Sequence, residues 1–414
     1  MPCLEVIQIT LVERHAFKPN DKEYPELDDL CFKSKNLYNA TLYAVRQYFF
    51  STHKYLNYNA VNKEFTHTNQ PDYIALPRKV SKLTQMLVDK AFRSFFALLK
   101  AKEEGRIDKD TKVRIPKYLH KVKGRQVVEY TKQALSLVEK GFVKLSGTDI
   151  KVGTDKDNIR FVRVVPKENN LIMIEVGYEQ PEEYKEEGNV AAIDLGINNL
   201  ATVTSDSFTP FIVNGKPLKS INQYYNKNLA ELRSTWDTSN TKKSISRKIA
   251  TLTRKRNAKI DDYLHKASRA ITNHLVEANV STLVIGYNKG WKQDVNLGKV
   301  NNQKFVQIPF LRFVHMLTYK CALVGIKVVL LSEAYTSKCS FLDNEDVKKH
   351  DSYQGSRIKR GLFKASGGEL INADSNASFN ILKLYLQEKG AWNLDQFRNC
   401  VEVCSTPTVL YVKR

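Results

Sequence analysis

Apolar and polar positions change rhythm several times along the chain. Residues 4–12 (LEVIQITLV) alternate, as expected of a strand with one buried face. From about residue 28 the period lengthens, and Leu30, Leu37, Tyr38, Thr41, Leu42, Val45 and Phe49 fall on one helical stripe, with Asp28 and Asp29 suited to the helix start. A second helix is predicted over 80–103, where Leu83, Met86, Leu87, Phe92, Phe95, Leu98 and Leu99 recur at helical spacing and Gly105 stops it. Between 112 and 180 the texture returns to short β-branched runs (RQVVEY, GFVKLSG, IRFVRVV, LIMIEVGY) broken by Gly, Pro and Asn. The economical reading is a small β-barrel that includes the first strand and is interrupted by the helices.

Residues 181–189 (PEEYKEEGN) are acidic and polar and read as a linker. Beyond them the grammar is α/β. Strands are predicted at 190–195, 199–205 and about 210–213, then helices at 221–236 and 241–279, a strand at 282–287, a helix at 308–324, a strand at 326–333, an irregular loop, and a helix at 374–387. Three strands, a helix, a strand, a helix, a strand and a last helix is the order of an RNase H-like domain. The fold class is therefore α/β and multidomain. Residues 1–14 and 105–180 form the barrel, 15–104 the inserted helical domain, 181–390 the RNase H-like domain with a helical lid at 221–279, and 391–414 a loose tail.

At 414 residues, 42% of them hydrophobic, the chain can bury two or three cores without disulfides. Its apolar runs are strand-sized and too short for a bilayer span, and the N-terminal residues lack the pattern of a secretory signal. A cytoplasmic protein without a membrane partner is expected. Six cysteines, at 3, 31, 321, 339, 400 and 404, show no scaffold spacing and read as free thiols. The formal net charge of +21 changes the picture, because such a surplus repels itself unless a polyanion neutralises it. Candidate phosphate contacts are Arg114, Lys117 and Lys121 at the entrance to the barrel, Arg247, Arg254, Lys255, Arg256, Lys266 and Arg269 on the long helix, and Lys359 and Arg360 in the late loop. Tyr224, Tyr225 and Trp291 could stack on unpaired bases or pack in a core.

Two carboxylates carry the candidate chemistry. Asp194 interrupts the apolar strand in AAIDLGINNLATV, where a carboxylate is costly unless paired or metal-bound. Asp374, in INADSNASFNILK, can cap the last helix and also face the end of the first strand. Asn372, Asn376 and Asn380 add a polar face expected to point the same way. Carboxylates converging on two Mg²⁺ ions are the apparatus of phosphodiester hydrolysis.

With these residues in view, the chain resembles the TnpB proteins (transposase OrfB family), insertion-sequence-encoded RNA-guided nucleases related to the type V CRISPR effectors. SKNLYN (34–39), IDLGINNLATV, LHKASRAITNHLV (264–276), VQIPFLRFVHMLTYKCALVGIKV with YTSK, and NADSNASFNIL carry the resemblance. It implies a RuvC nuclease domain, a wedge-like barrel, a helical recognition domain, a guide RNA derived from the transposon end, and a double-stranded target DNA with a short flanking motif. It also implies a catalytic and metal-binding acid at the end of the central strand, where TLVIGYNKGWK has Gly286. Glu333, ending the neighbouring strand in VVLLSEAYTSK, is expected to replace it, giving Asp194, Glu333 and Asp374 as the ligands of two Mg²⁺ ions, with Mn²⁺ able to substitute. Asp206, Asp294, Asp343, Glu345 and Asp346 are further candidates. The family's two CxxC pairs are reduced to Cys339, so 334–373 is expected to be a degenerate zinc-ribbon-like loop without structural zinc. The rival readings are an RNA-guided DNA-binding protein that has lost cleavage, and a transposase or transposition regulator acting without RNA.

Overall fold

The chain is described from a computed structural model, which covers residues 8–139, 141–236, 242–288, 307–397 and 406–412. It divides after Gln180 into two units. The first contains β1 (Gln8–Phe17), helices α1 (Tyr24–Thr52), α2 (Tyr58–His67), α3 (Pro71–Ile74) and α4 (Arg78–Glu103), and strands β2 (Val128–Thr131), β3 (Leu135–Glu139), β4 (Gly141–Leu145), β5 (Lys151–Thr154), β6 (Ile159–Lys167) and β7 (Leu171–Pro181). The first strand joins the late ones in a sheet ordered β1-β7-β6-β2, so the helices are inserted between paired strands. The expected barrel is instead two sheets: β3, β4 and β5 form a separate one, because the turn Lys132–Ala134 ends β2 and redirects the chain. The stripe of α1 is buried as its period requires, with Leu30, Leu37, Leu42 and Val45 packed in one core with Val88, Phe92, Val162 and Ile174. The polar positions between them hold residues 119–125. Lys35 Nζ donates to the Lys121 carbonyl at 2.6 Å, Asn39 bonds both backbone groups of Leu119 at 2.9 Å, and Arg125 pairs with Asp28 at 2.6 and 2.7 Å.

The second unit has β8 (Asn189–Leu195), β9 (Asn199–Ser205), β10 (Phe211–Asn214), α5 (Lys216–Ser234), α6 (Lys242–Glu277), β11 (Val280–Gly286), α7 (Phe310–Ala322), β12 (Lys327–Leu331), β13 (Ser356–Lys359), β14 (Leu362–Lys364), β15 (Leu370–Asn372), α8 (Ala373–Glu388) and β16 (Thr408–Leu410). The main sheet runs β12-β11-β8-β9-β10-β16, and β9 alone is antiparallel to its neighbours. Residues of α6 and α7 cover one face through Leu264, Ile271, Phe313 and Leu317, while Phe379, Ile381 and Leu382 of α8 cover the other. The near-continuous apolar runs of β8 and β11 follow from this burial on both sides.

Two expectations are corrected. The described part of the tail is not loose: β16 pairs in parallel with β10, Phe211 opposite Thr408, and so occupies peptide groups that would otherwise form a bare sheet edge. Ahead of it, the Trp392 and Phe397 rings stack with centroids 5.3 Å apart and pack on Phe341. The loop between β12 and α8 is not wholly irregular either, since it contains the antiparallel sheet β13-β14-β15.

Candidate active site

Strand parity brings the acids to one place. Along β8, Ala191, Ile193 and Leu195 face α6 and α7, whereas Ala192 faces α8, so Asp194 falls on the α8 side with Ala192. In β11 the same alternation puts Ile285 on one face and Val284 on the other, which gives Gly286 the face of Asp194. Ile285 is in register with Ile193, and Gly286 with Leu331 of β12. Leu331 packs on the α8 side, and Glu333, two residues on, shares its parity. These three strands are parallel, so their C-terminal ends lie at one edge. Asp374 comes to that edge in the first turn of α8.

Glu333 leans over Gly286. A Cβ added to the glycine would stand 3.2 Å from Glu333 Oε2, 3.3 Å from Glu333 Cβ and 2.4 Å from Ile381 Cδ1, so the missing side chain makes the room that Glu333 occupies. Asn288 clamps the strand end: its Oδ1 accepts from the Glu333 amide at 3.2 Å and its Nδ2 donates to Glu333 Oε1 at 3.3 Å. Glu333 Oε2 is buried and has no hydrogen-bond partner among the described residues. Asn372 is the N-cap of α8, its Oδ1 accepting from the amides of Asp374 and Ser375 at 3.0 and 3.2 Å, which releases the Asp374 carboxylate from capping. That carboxylate takes Asn199 Nδ2 at 2.7 Å and Arg357 at 3.1 Å.

Burial, then the charges of Asp374 and Glu333, push the Asp194 carboxyl well above the ordinary range, with Arg357 opposing. Burial alone pushes Glu333 up to about 7. As placed, no three His, Cys, Asp or Glu side chains among the described residues are drawn in tightly enough to hold an ion. The site nonetheless suits a hard cation chemically. It gathers oxygen donors, it leaves one buried carboxylate oxygen unsatisfied among the described residues, and Asp194 and Glu333 bind protons more tightly than ordinary carboxylates, protons that a divalent ion would displace.

A stability measurement follows from these two groups. Both bind protons more tightly in the fold than in the unfolded chain; the contribution of Glu333 is complete below about pH 4.5 and is lost as pH rises through about 7, and that of Asp194 is likewise lost as pH rises. For Glu333, each pH unit between the two values is worth at most ~1.4 kcal/mol. Melting temperature is therefore expected to gain more from Mg²⁺ at pH 8 than at pH 5.5. An equal gain at both pH values would count against ion binding by these carboxylates.

Comparison with known proteins places the chain. The OrfB_IS605 family, described as a probable transposase, matches residues 173–292, and the Cas12f1-like TNB domain matches residues 310–381. The TnpB-like protein ORF457 of Acidianus two-tailed virus is 27% identical, with 88% of this chain and 84% of the relative covered. Over these stretches the chain is similar to TnpB proteins and their type V relatives. A solved Cas12f1–sgRNA–target DNA complex aligns with 87% of this chain and 82% of its own at a TM-score of 0.52 and 14% identity, a likeness of fold that agrees with the family's kinship to type V effectors.

Within the stretch that matches the TNB domain, the loop after β12 is held by polar contacts at residues expected to serve elsewhere. Asn376 and Asn380 do not face the acids. Asn376 accepts from the Phe341 amide at 2.9 Å, and both asparagines donate to the Cys339 carbonyl at 2.8 Å. Their side chains are fully buried, where unmet loop carbonyls would be costly. Three of the further candidate acids are spent the same way: Glu345 accepts from the Ser340 and Gln354 amides, Asp343 from Ser366, and Asp346 from Lys348. Asp206 accepts from Ser205 Oγ at 3.0 Å. Cys339 is buried, its thiol directed at the Lys348 carbonyl, and the buried Lys383 ammonium donates to the carbonyls of Asn344 and Glu345 at 2.8 and 3.0 Å. Asp294, Trp291, Cys3, Cys400 and Cys404 lie outside the described residues.

The basic residues divide by role. Arg114, Lys117, Lys121, Arg247, Arg254, Lys255, Arg269, Lys359 and Arg360 are exposed. Lys266 pairs with Asp262 at 3.0 Å. Arg256 braces the helices, since it donates to Asn222, Asn257 and the Gln307 carbonyl and lies over the Tyr225 ring. Sequence reasoning missed Arg357, which stands two residues before Lys359, the first of the basic pair it singled out. It also missed Asn199 and Asn288, whose only signal was asparagine at strand ends, and it named Asn372 without its role as the cap of α8.

Proposed function

We propose that this chain is an RNA-guided DNA endonuclease encoded by a transposable element, hydrolysing phosphodiesters at a RuvC-type site on an RNase H-like sheet. In this reading Asp194, Glu333 and Asp374 hold Mg²⁺, with Mn²⁺ able to substitute. The observation that carries it is the convergence of these acids, from three separate stretches, on one sheet edge around a carboxylate oxygen that has no partner among the described residues. Bound divalent ions would supply an activated water and stabilise the leaving oxygen. The protein's own part is to fix the carboxylates: Asn372 frees Asp374, Asn288 aims Glu333, and Arg357 brings a guanidinium suited to a phosphate. The Cas12f1 complex named above contains a guide RNA and target DNA, and the same partners are proposed here. Base pairing would read the target, while the protein reads duplex shape and a short flanking motif.

The test is purification from cells carrying the native locus, sequencing of the RNA that comes with the protein, and incubation of the complex with matched DNA. A discrete RNA and cleavage that requires Mg²⁺ or Mn²⁺ and stops with EDTA are expected. Guided binding without cleavage would establish the binding-only alternative, and cleavage or joining by RNA-free protein would establish the transposase alternative.

A further inference from the structure

Along α5 and α6 runs an open groove of about 1390 Å³, larger than the ~300–1,000 Å³ typical of small-molecule sites. Seven cationic side chains line it against two acidic ones, Glu231 and Asp262. Lys248, Lys255 and Lys259 follow at spacings of seven and four on α6, so they share a face. All three are exposed, and none forms an ion pair among the described residues. Opposite them Tyr224 of α5 is 64% exposed. Tyr225, by contrast, is tied to Thr253 at 3.1 Å and lies beneath Arg256.

One end of the groove meets the edge that carries the acids. Its lining begins with Asn214 and Lys216, at the end of β10. Both β10 and β8 run antiparallel to β9, so β10 ends on the same side as Asp194. The Gly215 amide donates to the Asn198 carbonyl at 2.7 Å, joining the start of α5 to the turn that follows Asp194.

We propose that this groove is a track for one single nucleic-acid strand, which enters or leaves the carboxylate edge with its phosphates along Lys248, Lys255 and Lys259 and an unpaired base on Tyr224. A row of unpaired cations facing an exposed ring is the chemistry that holds single strands without regard to sequence. This deepens the nuclease reading, for it gives the strand to be cut a path to the site.

The test uses the full-length chain carrying Asp194→Asn, so that cleavage cannot obscure binding. Fluorescence anisotropy is measured with labelled oligo(dT), oligo(rU) and duplex DNA, each about 20 nucleotides or base pairs long. The charge reversal Lys248→Glu/Lys255→Glu/Lys259→Glu is expected to weaken single-strand binding more than about tenfold and to flatten its salt dependence by about 2, at roughly 0.7 per lost phosphate contact. Tyr224→Ala is expected to weaken it about fivefold or more, from the stacking worth of one base, with the salt slope unchanged. Either polymer, or both, losing affinity in this way supports the track and identifies the strand. Unchanged single-strand affinity, or a loss confined to the duplex, overturns it. The outcomes stand apart from the nuclease reading: wild-type protein that never cleaves, yet loses single-strand binding on charge reversal, keeps the track and removes only the chemistry.

Discussion

Replacing Asp194 with asparagine is expected to abolish guided cleavage, by about 10³-fold or more, while leaving RNA and target binding intact and the fold no less stable. Losing one carboxylate from a two-metal site forfeits several kcal/mol of charge stabilisation in the transition state, and each 1.36 kcal/mol is about tenfold in rate. The fold should tolerate the change for a local reason. Asn matches Asp in shape, and at this position the charge faces Asp374 and Glu333 and is disfavoured by burial before any ion arrives. The variant should therefore melt at or above the wild-type temperature in EDTA, and its melting should gain less from Mg²⁺ at pH 8. Cleavage within about threefold of wild type would remove Asp194 from the chemistry. A collapse of melting temperature would mean instead that the carboxylate is structural.

The legible and illegible parts of this molecule divide along a physical line. Periodicity found α1, α4, α6 and the strands from β8 to β12, because burial of a stripe or of both strand faces imposes a pattern on consecutive residues. It overlooked α2, whose buried anchors are only Val61 and Phe65, and it overlooked β13 to β16, which are three or four residues long and owe their existence to partners remote in sequence. The same line crosses the site. Asp194 stood out because an acid in an apolar strand demands an explanation. Arg357, Asn199 and Asn288 did not, because nothing adjacent in the chain marks them and only the folded edge brings them to the carboxylates. Asn376 and Asn380 misled for the complementary reason. Their four-residue spacing correctly gave a common helix face, but a face is defined only relative to what packs on it, and here that is the Cys339 loop.

Glu333 is the acid whose role the Gly286 geometry tests most sharply. Glu333→Ala is expected to lower guided cleavage by about 10³-fold, close to Asp194→Asn, if it replaces the acid expected at the end of β11. A solvated charge at a strand end would instead leave the rate unchanged. Restoring the acid to the central strand should be harmful on its own, because Gly286→Glu drives a Cβ into Ile381 Cδ1 and against Glu333. Overpacking of this kind costs about 1–3 kcal/mol, and it would displace the carboxylate already present. The two obstacles can be removed together: Glu333→Ala takes away the competing carboxylate, and Ile381→Val takes away the Cδ1 methyl. Neighbouring strands lie only about 4.8 Å apart, a distance one glutamate side chain spans. The triple variant Gly286→Glu/Glu333→Ala/Ile381→Val is therefore expected to cleave at least about tenfold faster than Glu333→Ala alone. Recovery would establish that the edge needs a third acid and accepts it from either strand. A triple variant that melts like wild type and cleaves no faster than Glu333→Ala would show that residue 286 cannot present a carboxylate to the site, and that Glu333 is not standing in for it.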